Sequence, residues 1–341
     1  MRFGLVGVGE IGRIRARAVQ AIDGMDLTAA VDSVGERAKA LGVNAHPSAE
    51  KLCADSDVDA VIVSTPPSSH EAVTLTALRA GKHVLCEKPL APEPGAARRM
   101  VAAASEAKRV LAVGFNQRHF PAVHFVKELI DDGKLGRIRH VVAYSGHRGL
   151  EEFHAAWESD PQVTGGGSLM DNGIHLIDHV RYLGGEFHEV VGLRSGVRGG
   201  DSEDNAALLL RADDGRWAQL RSSWTEWRGY RFAIEVFGDL GVAQAAYGPM
   251  YASATLSETI GGPTRTVRHR YPLTAVREKA TGWQTTVRQT FERELTDFRD
   301  RAEGKNSPSA MGFDGFRAVE IAHAAYRSSE RHDFVRLSDP F

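Results

Sequence analysis

Short apolar runs alternate with helical patterns along the first part of the chain. The apolar runs predict five strands, at Phe3–Val8, Leu27–Asp32, Val58–Ser64, His83–Cys86 and Val110–Phe115. The segments between them carry the wider spacing of amphipathic helices, at Ile11–Ile22, Glu36–Leu41, Ser68–Ala80 and Pro92–Ala107. Strands buried on both faces are typically short and continuously apolar, and strands that alternate with helices form parallel sheets. The pattern predicts an α/β domain with a doubly wound parallel sheet over residues 1–119.

The pattern changes near residue 120, where strands begin to follow one another directly. After a strand at Ile138–Ser145, five more are predicted at Val190–Val197, Asn205–Arg211, Trp217–Trp224, Arg231–Phe237 and Gly241–Ala246. Helices are predicted at Ala122–Ile130, Ser168–Leu183, Gln284–Arg301 and Phe313–Ser328. Successive strands flanked by helices favour a mostly antiparallel sheet. Residues 120–341 are therefore predicted to form a second α/β domain with a large, open-faced sheet.

The composition argues against polyanionic partners and against a membrane. The 341 residues include 42 Lys and Arg against 44 Asp and Glu, for a net charge of −2, which gives no electrostatic reason to expect nucleic acid. No run approaches the roughly 18 apolar residues of a membrane helix, and no targeting segment is visible, so we expect a cytoplasmic protein. Cys53 and Cys86 do not form a CxxC pair, and we expect no metal.

A glycine-rich turn follows the first predicted strand and opens the first helix. Gly7, Gly9 and Gly12 form a GxGxxG motif with Glu10 and Ile11 between them. In a dinucleotide site, these glycines allow a tight turn, close approach of the pyrophosphate and close helix–strand packing, and the helix N-terminus attracts the phosphates. The motif alone is weak, and a purely structural turn is the alternative. The position of the motif between a strand and a helix favours a dinucleotide site, and such a site predicts a Rossmann domain.

An acidic residue at the end of the second predicted strand bears on the choice of cofactor. Asp32 lies 20 residues after Gly12, where a carboxylate accepts hydrogen bonds from ribose hydroxyls and repels a 2′-phosphate. NAD is therefore favoured. Ser33 and Arg37 follow, and Arg37 keeps NADP open as the less favoured alternative, because a guanidinium binds phosphate well.

Two further loops follow predicted strands, at the sheet edge where ligands of open α/β sheets bind. Ser64, Thr65 and Pro66 close the third strand, with His70 shortly after, and we expect them to contact the cofactor. The alternative is an ordinary turn and helix cap. Glu87 and Lys88 close the fourth strand, where the Lys88 ammonium would stabilise negative charge on a substrate oxygen. A solvated surface lysine is the alternative.

A glycine stretch in the second domain leads into a helix with acid–base character. Asp171 and His175 lie four residues apart and so on one helical face, where a carboxylate can orient an acid/base histidine. An exposed i,i+4 pair on an amphipathic helix is the alternative. A metal site with His179 is disfavoured, because His179 points about 100° away. Asn172 beside Asp171, with His154 and Trp157 before the glycine stretch, are candidates for the substrate cleft.

These motifs together resemble the Gfo/Idh/MocA oxidoreductase family, which includes inositol 2-dehydrogenase and glucose–fructose oxidoreductase. The motifs are the GxGxxG turn, Glu87-Lys88-Pro89, and the glycine stretch followed by Asp171 and His175. The resemblance covers nearly the whole chain. It implies that Lys88 lies near nicotinamide and substrate, that His175 is the acid/base, and that the cofactor loop contains Thr65, Pro66 and His70. It further implies that Asn116 and Arg118 enter the substrate cleft, with Asn116 also near the cofactor.

The resemblance implies hydride transfer between NAD(P) and a carbinol of a sugar, cyclitol or amino-sugar derivative. In our hypothesis, the small polyhydroxylated substrate binds between the domains, His175 takes the hydroxyl proton, and Lys88 holds the oxygen. The alternatives are an oxidoreductase or glycosidase that retains its cofactor, and a non-catalytic NAD-binding regulator. The family's second domain often makes oligomer contacts, so we expect a homodimer or homotetramer through the C-terminal sheet.

Overall fold

The computed structural model describes residues 1–149, 155–196 and 202–338. These residues form two compact units. Unit 1 contains Met1–Asn116 and Ala280–Val319, and unit 2 contains Gln117–Lys279 and the described residues from Glu320 onward. Among the described residues, none of the helices combines the length and apolar character that a membrane crossing needs.

Unit 1 is built around a six-stranded parallel sheet. Its strands are β1 (Arg2–Val6), β2 (Asp26–Val31), β3 (Asn44–Ala45), β4 (Ala60–Val63), β5 (His83–Cys86) and β6 (Leu111–Val113). The helices between them are α1 (Glu10–Gln20), α2 (Gly35–Lys39), α3 (Ala49–Cys53), α4 (His70–Arg79) and α5 (Pro94–Ala107). The strand order is β3-β2-β1-β4-β5-β6, and the predicted doubly wound sheet is confirmed. The sequence pattern missed β3 and α3, because two exposed residues and a five-residue helix carry no periodic signal.

Unit 2 contains a larger sheet with helices on one face. In chain order its elements are α6 (Pro121–Asp131), β7 (Ile138–Gly146), α7 (Pro161–Thr164), a π-helical turn (Leu169–Gly173), α8 (Ile174–Gly184), β8 (Glu189–Ser195), β9 (Asn205–Arg211), β10 (Trp217–Ser223), β11 (Arg231–Gly238), β12 (Gly241–Tyr247), β13 (Tyr251–Ser257), β14 (Thr264–Arg270) and α9 (Pro272–Thr281). Along the chain these are followed by α10 (Gln284–Ala302), which belongs to unit 1, and by α11 (Gly312–Arg331) and β15 (Val335–Arg336). The boundary between the units falls inside α11.

The nine strands of unit 2 follow the order β14-β13-β12-β11-β7-β10-β9-β8-β15. β7 and β10 pair in parallel, while the neighbouring pairs are antiparallel, so the predicted mostly antiparallel sheet is confirmed. Buried and exposed positions alternate along β9 and β10, which is the pattern of a sheet with one covered face. The prediction stopped short of β13, β14 and α9. β14 and α9 are largely exposed, whereas β13 buries Ala252 and Ala254.

Residues 280–319 return to unit 1, where α10 packs against α1. Leu295 and Phe298 of α10 are fully buried in the same apolar cluster as Phe3 and Ile14, and the Phe3 and Phe298 ring centroids lie 6.0 Å apart. Each fully buried side chain of this kind contributes roughly 1.5–3 kcal/mol. The predicted division at residues 119/120 placed residues 280–319 in the second domain, whereas the structure places them in unit 1. Local periodicity predicts that a helix forms, but it does not indicate which core the apolar face of that helix packs against.

Candidate active site

The turn between β1 and α1 requires glycine at two positions. Gly7 has a φ of +92°, and a Cβ there would lie 2.5 Å from the Ser64 carbonyl oxygen. A Cβ on Gly12 would lie 2.1 Å from the Gly7 carbonyl oxygen. The turn is therefore packed against the loop after β4, as a close helix–strand crossing demands.

Gly9 differs from these two glycines, because a Cβ there would meet no atom within 4 Å. Gly9 is the N-cap of α1 and offers no side-chain hydrogen bond to the helix. Glu10 and Ile11 begin the helix and are exposed. The first N–H groups of a helix attract anions when no side chain caps them. The open space over Gly9 thus fits a bound pyrophosphate, and the residues present fit a dinucleotide.

Asp32 directly follows β2 and binds two loop amides. Its Oδ2 accepts a hydrogen bond of 2.7 Å from the Val8 N–H, and its Oδ1 accepts one of 2.8 Å from the Val34 N–H. Asp32 thereby links the glycine turn to the end of β2. Arg37 lies 3.7 Å from Oδ1 with half of its side chain exposed, and Ser33 is exposed as well. This cluster combines an anion suited to ribose hydroxyls with one flanking cation.

His70, predicted to lie in the cofactor loop, is enclosed by backbone carbonyl groups. The His70 side chain is fully buried, and its ring nitrogens lie 2.8 Å from the Thr65 carbonyl oxygen and 2.9 Å from the Pro89 carbonyl oxygen. Desolvation lowers the pKa of His70, which favours the neutral ring. A neutral ring donates to only one of these two oxygens, and His70 lies between the loops that follow β4 and β5. Thr65 is half-buried, and its Oγ1 accepts a hydrogen bond of 2.8 Å from the Ser69 hydroxyl.

Glu87 belongs to a buried charge cluster that sequence reasoning missed. The Arg15 side chain on α1 is fully buried and donates a 2.7 Å hydrogen bond to the Glu87 carboxylate. Arg15 also pairs with Glu294 of α10 and stacks over the Phe291 ring at 3.7 Å. Glu87 in turn accepts a 3.3 Å hydrogen bond from the Lys88 N–H. Because removal of one partner from a buried ion pair is costly, this cluster firmly anchors the backbone that carries Lys88.

In unit 2, Asp171 lies in the π-helical turn before α8, and His175 is the second residue of α8. The Asp171 Oδ2 accepts hydrogen bonds of 2.9 Å from His147 Nε2 and 3.0 Å from the Trp224 indole. His175 is 5% exposed. The i,i+4 argument assumed α-helical geometry and gave Asp171 the role of orienting His175, but it did not identify His147 or Trp224 as partners of Asp171. Both lie far from Asp171 along the chain, so no local motif indicates them.

The remaining substrate candidates occupy different environments. Arg118 is buried and forms a two-point ion pair with Asp178, at 2.7 and 2.5 Å, so that its guanidinium is already bound to a carboxylate. Asn172 is 4% exposed, with its Nδ2 3.5 Å from the Ser145 hydroxyl.

In unit 1, Asn116 donates a 2.8 Å hydrogen bond to the Thr290 hydroxyl. Trp157, in unit 2, is 38% exposed on a short 3-10 helix. His154 lies outside the described residues.

His179 occupies a core position. Its side chain is fully buried, and its Nδ1 lies 2.5 Å from the His175 carbonyl oxygen. Desolvation lowers the pKa of His179. Within the described ranges, the side chains form no cluster of three or more His, Cys, Asp or Glu that could hold a metal ion.

Two family profiles match the chain. One is described as an oxidoreductase family with an NAD-binding Rossmann fold and matches residues 1–115. The other is described as the GFO/IDH/MocA C-terminal domain and matches residues 123–244.

Relatives that match over nearly the whole chain are also oxidoreductases by name. An inositol 2-dehydrogenase of Rhizobium meliloti is 29% identical over 338 residues, which cover 96% of each chain. A 1,5-anhydro-D-fructose reductase of Ensifer adhaerens is 30% identical over 342 residues, again covering 96% of each. Among solved structures, GenD2 from gentamicin A biosynthesis in complex with NAD is 26% identical, with a TM-score of 0.83 and coverage of 99% of this chain and 97% of that one.

Proposed function

The chain belongs to the Gfo/Idh/MocA family of oxidoreductases, and from that premise we propose that it is an NAD-dependent dehydrogenase. Its substrate is a secondary alcohol, or the corresponding ketone, of a sugar, cyclitol or amino-sugar derivative. The observation that carries the proposal is the glycine turn, where Gly9 leaves the N-terminus of α1 open and Asp32 stands at the end of the next strand. The inositol and anhydrofructose enzymes act on compounds of this class.

Residues of unit 1 hold the cofactor in this proposal. The amides at Gly9, Glu10 and Ile11 bind the pyrophosphate, and Asp32 accepts hydrogen bonds from the adenosine ribose. The other proposed contacts are with Gly7, Gly12, Ser33, Arg37, Ser64, Thr65, Pro66, Glu87, Lys88 and Asn116. The nicotinamide ring, when bound, supplies the acceptor or donor of the hydride. NAD is preferred to NADP, because the Asp32 carboxylate repels a 2′-phosphate.

Proton transfer is assigned to His175, which takes the proton of the substrate hydroxyl during oxidation and returns it during reduction. The Asp171 carboxylate stabilises the imidazolium that forms, as an anion beside a general base does. Lys88 stabilises negative charge on the substrate oxygen as the oxygen becomes a carbonyl. General acid–base catalysis of this kind contributes about 10² to 10⁴-fold to the rate.

The substrate is a polyol held mainly by hydrogen bonds. Asn116, Arg118, Asn172 and His154 are the proposed polar contacts, and the exposed Trp157 offers an apolar face to a sugar ring. The salt bridge to Asp178 limits Arg118 to presenting its remaining N–H groups.

The decisive experiment is a screen of inositols, anhydro-sugars, aminocyclitols and amino-sugar glycosides for absorbance of the reduced nicotinamide, with NAD⁺ and NADP⁺ compared. Lys88→Ala and His175→Ala are expected to lower turnover by at least about 10²-fold, while binding of NADH is retained. Near-normal rates in both variants would contradict the assigned roles. Turnover without added NAD⁺ would select an enzyme that retains its cofactor.

We further propose that copies of the chain associate through the uncovered face of the nine-stranded sheet. Leu193, Leu209 and Trp217 are exposed on this face, where cross-strand pairing places their strands side by side. Large apolar side chains exposed on one face of a sheet are candidates for an interface.

A further inference from the structure

The Asp171 carboxylate receives two N–H donors on the same oxygen. His147 Nε2 lies 2.9 Å from Oδ2, and the Trp224 indole nitrogen lies 3.0 Å from it. His147 directly follows β7, and Trp224 directly follows β10. Since β7 and β10 are paired neighbours in the sheet, their adjacent ends bring both donors to the π-helical turn.

The backbone decides which nitrogen of His147 carries the proton. His147 Nδ1 accepts a 2.9 Å hydrogen bond from the Gly149 N–H. A neutral imidazole has one acceptor and one donor nitrogen, so the proton lies on Nε2 and points at Asp171. Both ring nitrogens of His147 therefore already have hydrogen-bond partners. This arrangement fits a residue that positions Asp171, and it does not fit a residue that exchanges protons with the substrate.

Trp224 is also tightly packed. Its side chain is 1% exposed, and Gly149 has a φ of +59°, with a Cβ there falling 2.4 Å from Trp224 Cβ. Glycine at position 149 therefore serves two purposes, since its N–H fixes the His147 tautomer and its missing side chain leaves room for the indole.

Other titratable groups lie on the elements that pack against the π-helical turn. His175 lies in the first turn of α8, and Asp178 of the same helix forms an ion pair with Arg118. Glu203, before β9, accepts hydrogen bonds from the Gly167 and Leu169 amides and from the Tyr326 hydroxyl.

Tyr230, between β10 and β11, is the last of these neighbours. Desolvation raises its pKa to about 12, with the Asp171 charge contributing. Tyr230 therefore stays a neutral phenol and adds no negative charge beside Asp171.

We propose that His147 and Trp224 are positioning residues that together hold Asp171 as an oriented carboxylate. Hydrogen bonds donated to a carboxylate favour its charged form. Asp171 then acts as a fixed anion and does not itself take up the proton. The consequence for catalysis rests on the proposed function, in which Asp171 supports His175, whereas the hydrogen-bond arrangement does not depend on that function.

Two substitutions at position 147 separate the two bonds that its ring makes. In His147→Asn, the shorter amide still accepts the Gly149 N–H but does not reach Asp171. In His147→Gln, the longer amide places an N–H donor where Nε2 lies, so the bond to Asp171 is retained. The probe is the indole N–H resonance of Trp224 followed by NMR as a function of pH. It is identified by its loss in Trp224→Phe, and Asp171→Asn removes its response to the carboxylate.

The midpoint of this titration is expected to rise by about one pH unit in His147→Asn, because loss of a donor destabilises the charged carboxylate relative to the protonated carboxyl. The midpoint in His147→Gln is expected to stay near that of the unchanged protein. Equal midpoints in His147→Asn and the unchanged protein, or equal shifts in both variants, would overturn the proposal.

Kinetics supply a second, independent measurement. Trp224→Phe is expected to move the acidic limb of the kcat/KM profile to higher pH by about one unit, while Trp283→Phe, the same change at a 46% exposed site in unit 1, leaves the profile unchanged. A uniform loss of rate at every pH in Trp224→Phe would indicate packing alone and contradict the proposal. If no polyol is oxidised, the proposed function fails, and the NMR titration still decides the roles of His147 and Trp224.

Discussion

Asp32 illustrates at the residue scale how one side chain carries both a structural and a chemical task. It binds the Val8 and Val34 amides, so it stabilises the glycine turn, and in the proposed function it also offers negative charge to the cofactor. These tasks can be separated, because an asparagine keeps a carbonyl oxygen for one amide but removes the charge.

Asp32→Asn is expected to lower kcat/KM for NAD⁺ by about tenfold, since hydrogen bonds to charged groups are the stronger ones, and to raise the ratio of NADP⁺ to NAD⁺ activity. Initial rates with both cofactors measure this. Glu36→Gln is the matched control, because Glu36 is exposed and pairs with Lys39. An unchanged ratio of NADP⁺ to NAD⁺ activity in Asp32→Asn would contradict the proposal that the Asp32 charge selects NAD.

Residue types at motif positions were predictable, but their partners were not. GxGxxG and Asp32 are predicted from their spacing after predicted strands, and the site role of Lys88 is implied by the family resemblance. The contacts of Arg118 with Asp178 and of His70 with two carbonyl oxygens depend on which side chains the packed interior brings together, and that information is spread along the chain.

At the element scale, α10 combines an apolar face with charged groups in contrasting environments. Desolvation raises the pKa of Asp297 to about 6, and the nearby Asp300 adds to the shift. Glu303, at the exposed end of the helix, has its pKa lowered by a hydrogen bond from Lys305. The fold therefore disfavours the charged form of Asp297 and favours that of Glu303.

These opposite signs predict opposite effects on stability. Asp297→Asn is expected to raise the melting temperature near neutral pH, because the folded pKa lies above the unfolded value and ionisation costs stability there. The gain is expected to fade as the pH falls through 6 and to vanish once the pH lies below the ordinary aspartate pKa of 3.8, where the carboxyl is protonated in both states. Glu303→Gln should give a small loss near neutral pH. Thermal melts across this range measure both, and a gain that persisted at low pH would contradict the assignment.

The π-helical turn marks a limit of element prediction. Apolar spacing predicted one helix over Ser168–Leu183, and the structure has a π-helical turn followed by α8. Periodicity indicates that a helix is present, whereas the wider turn depends on the packing of Asp171 and its neighbours against β10.

For the whole molecule, the most informative surface is the uncovered face of the nine-stranded sheet. Leu193 is 68% exposed and Leu209 is 45% exposed, while the alternate residues Leu208 and Leu210 are buried beneath the sheet. Exposed leucines on an otherwise ordered sheet cost free energy unless a second copy covers them.

Leu209→Glu is expected to shift the chain from an oligomer towards the 37.1 kDa monomer, because a buried interface would then hold an unpaired charge. Light scattering after size-exclusion chromatography measures the mass. Leu273→Glu is the control, since Leu273 is 81% exposed on α9. A monomeric unchanged protein, or equal behaviour of both variants, would exclude this interface.

The sequence by itself determined the β-α alternation of unit 1 and the glycine turn, because these depend on short-range spacing and on the conformational freedom of glycine. The tertiary structure decided the return of α10 to the core of unit 1 and the partners of Asp171, which lie 24 and 53 residues away at His147 and Trp224. Such contacts are selected by the packing of whole elements, since a donor becomes a partner only when the strands that carry it are already paired.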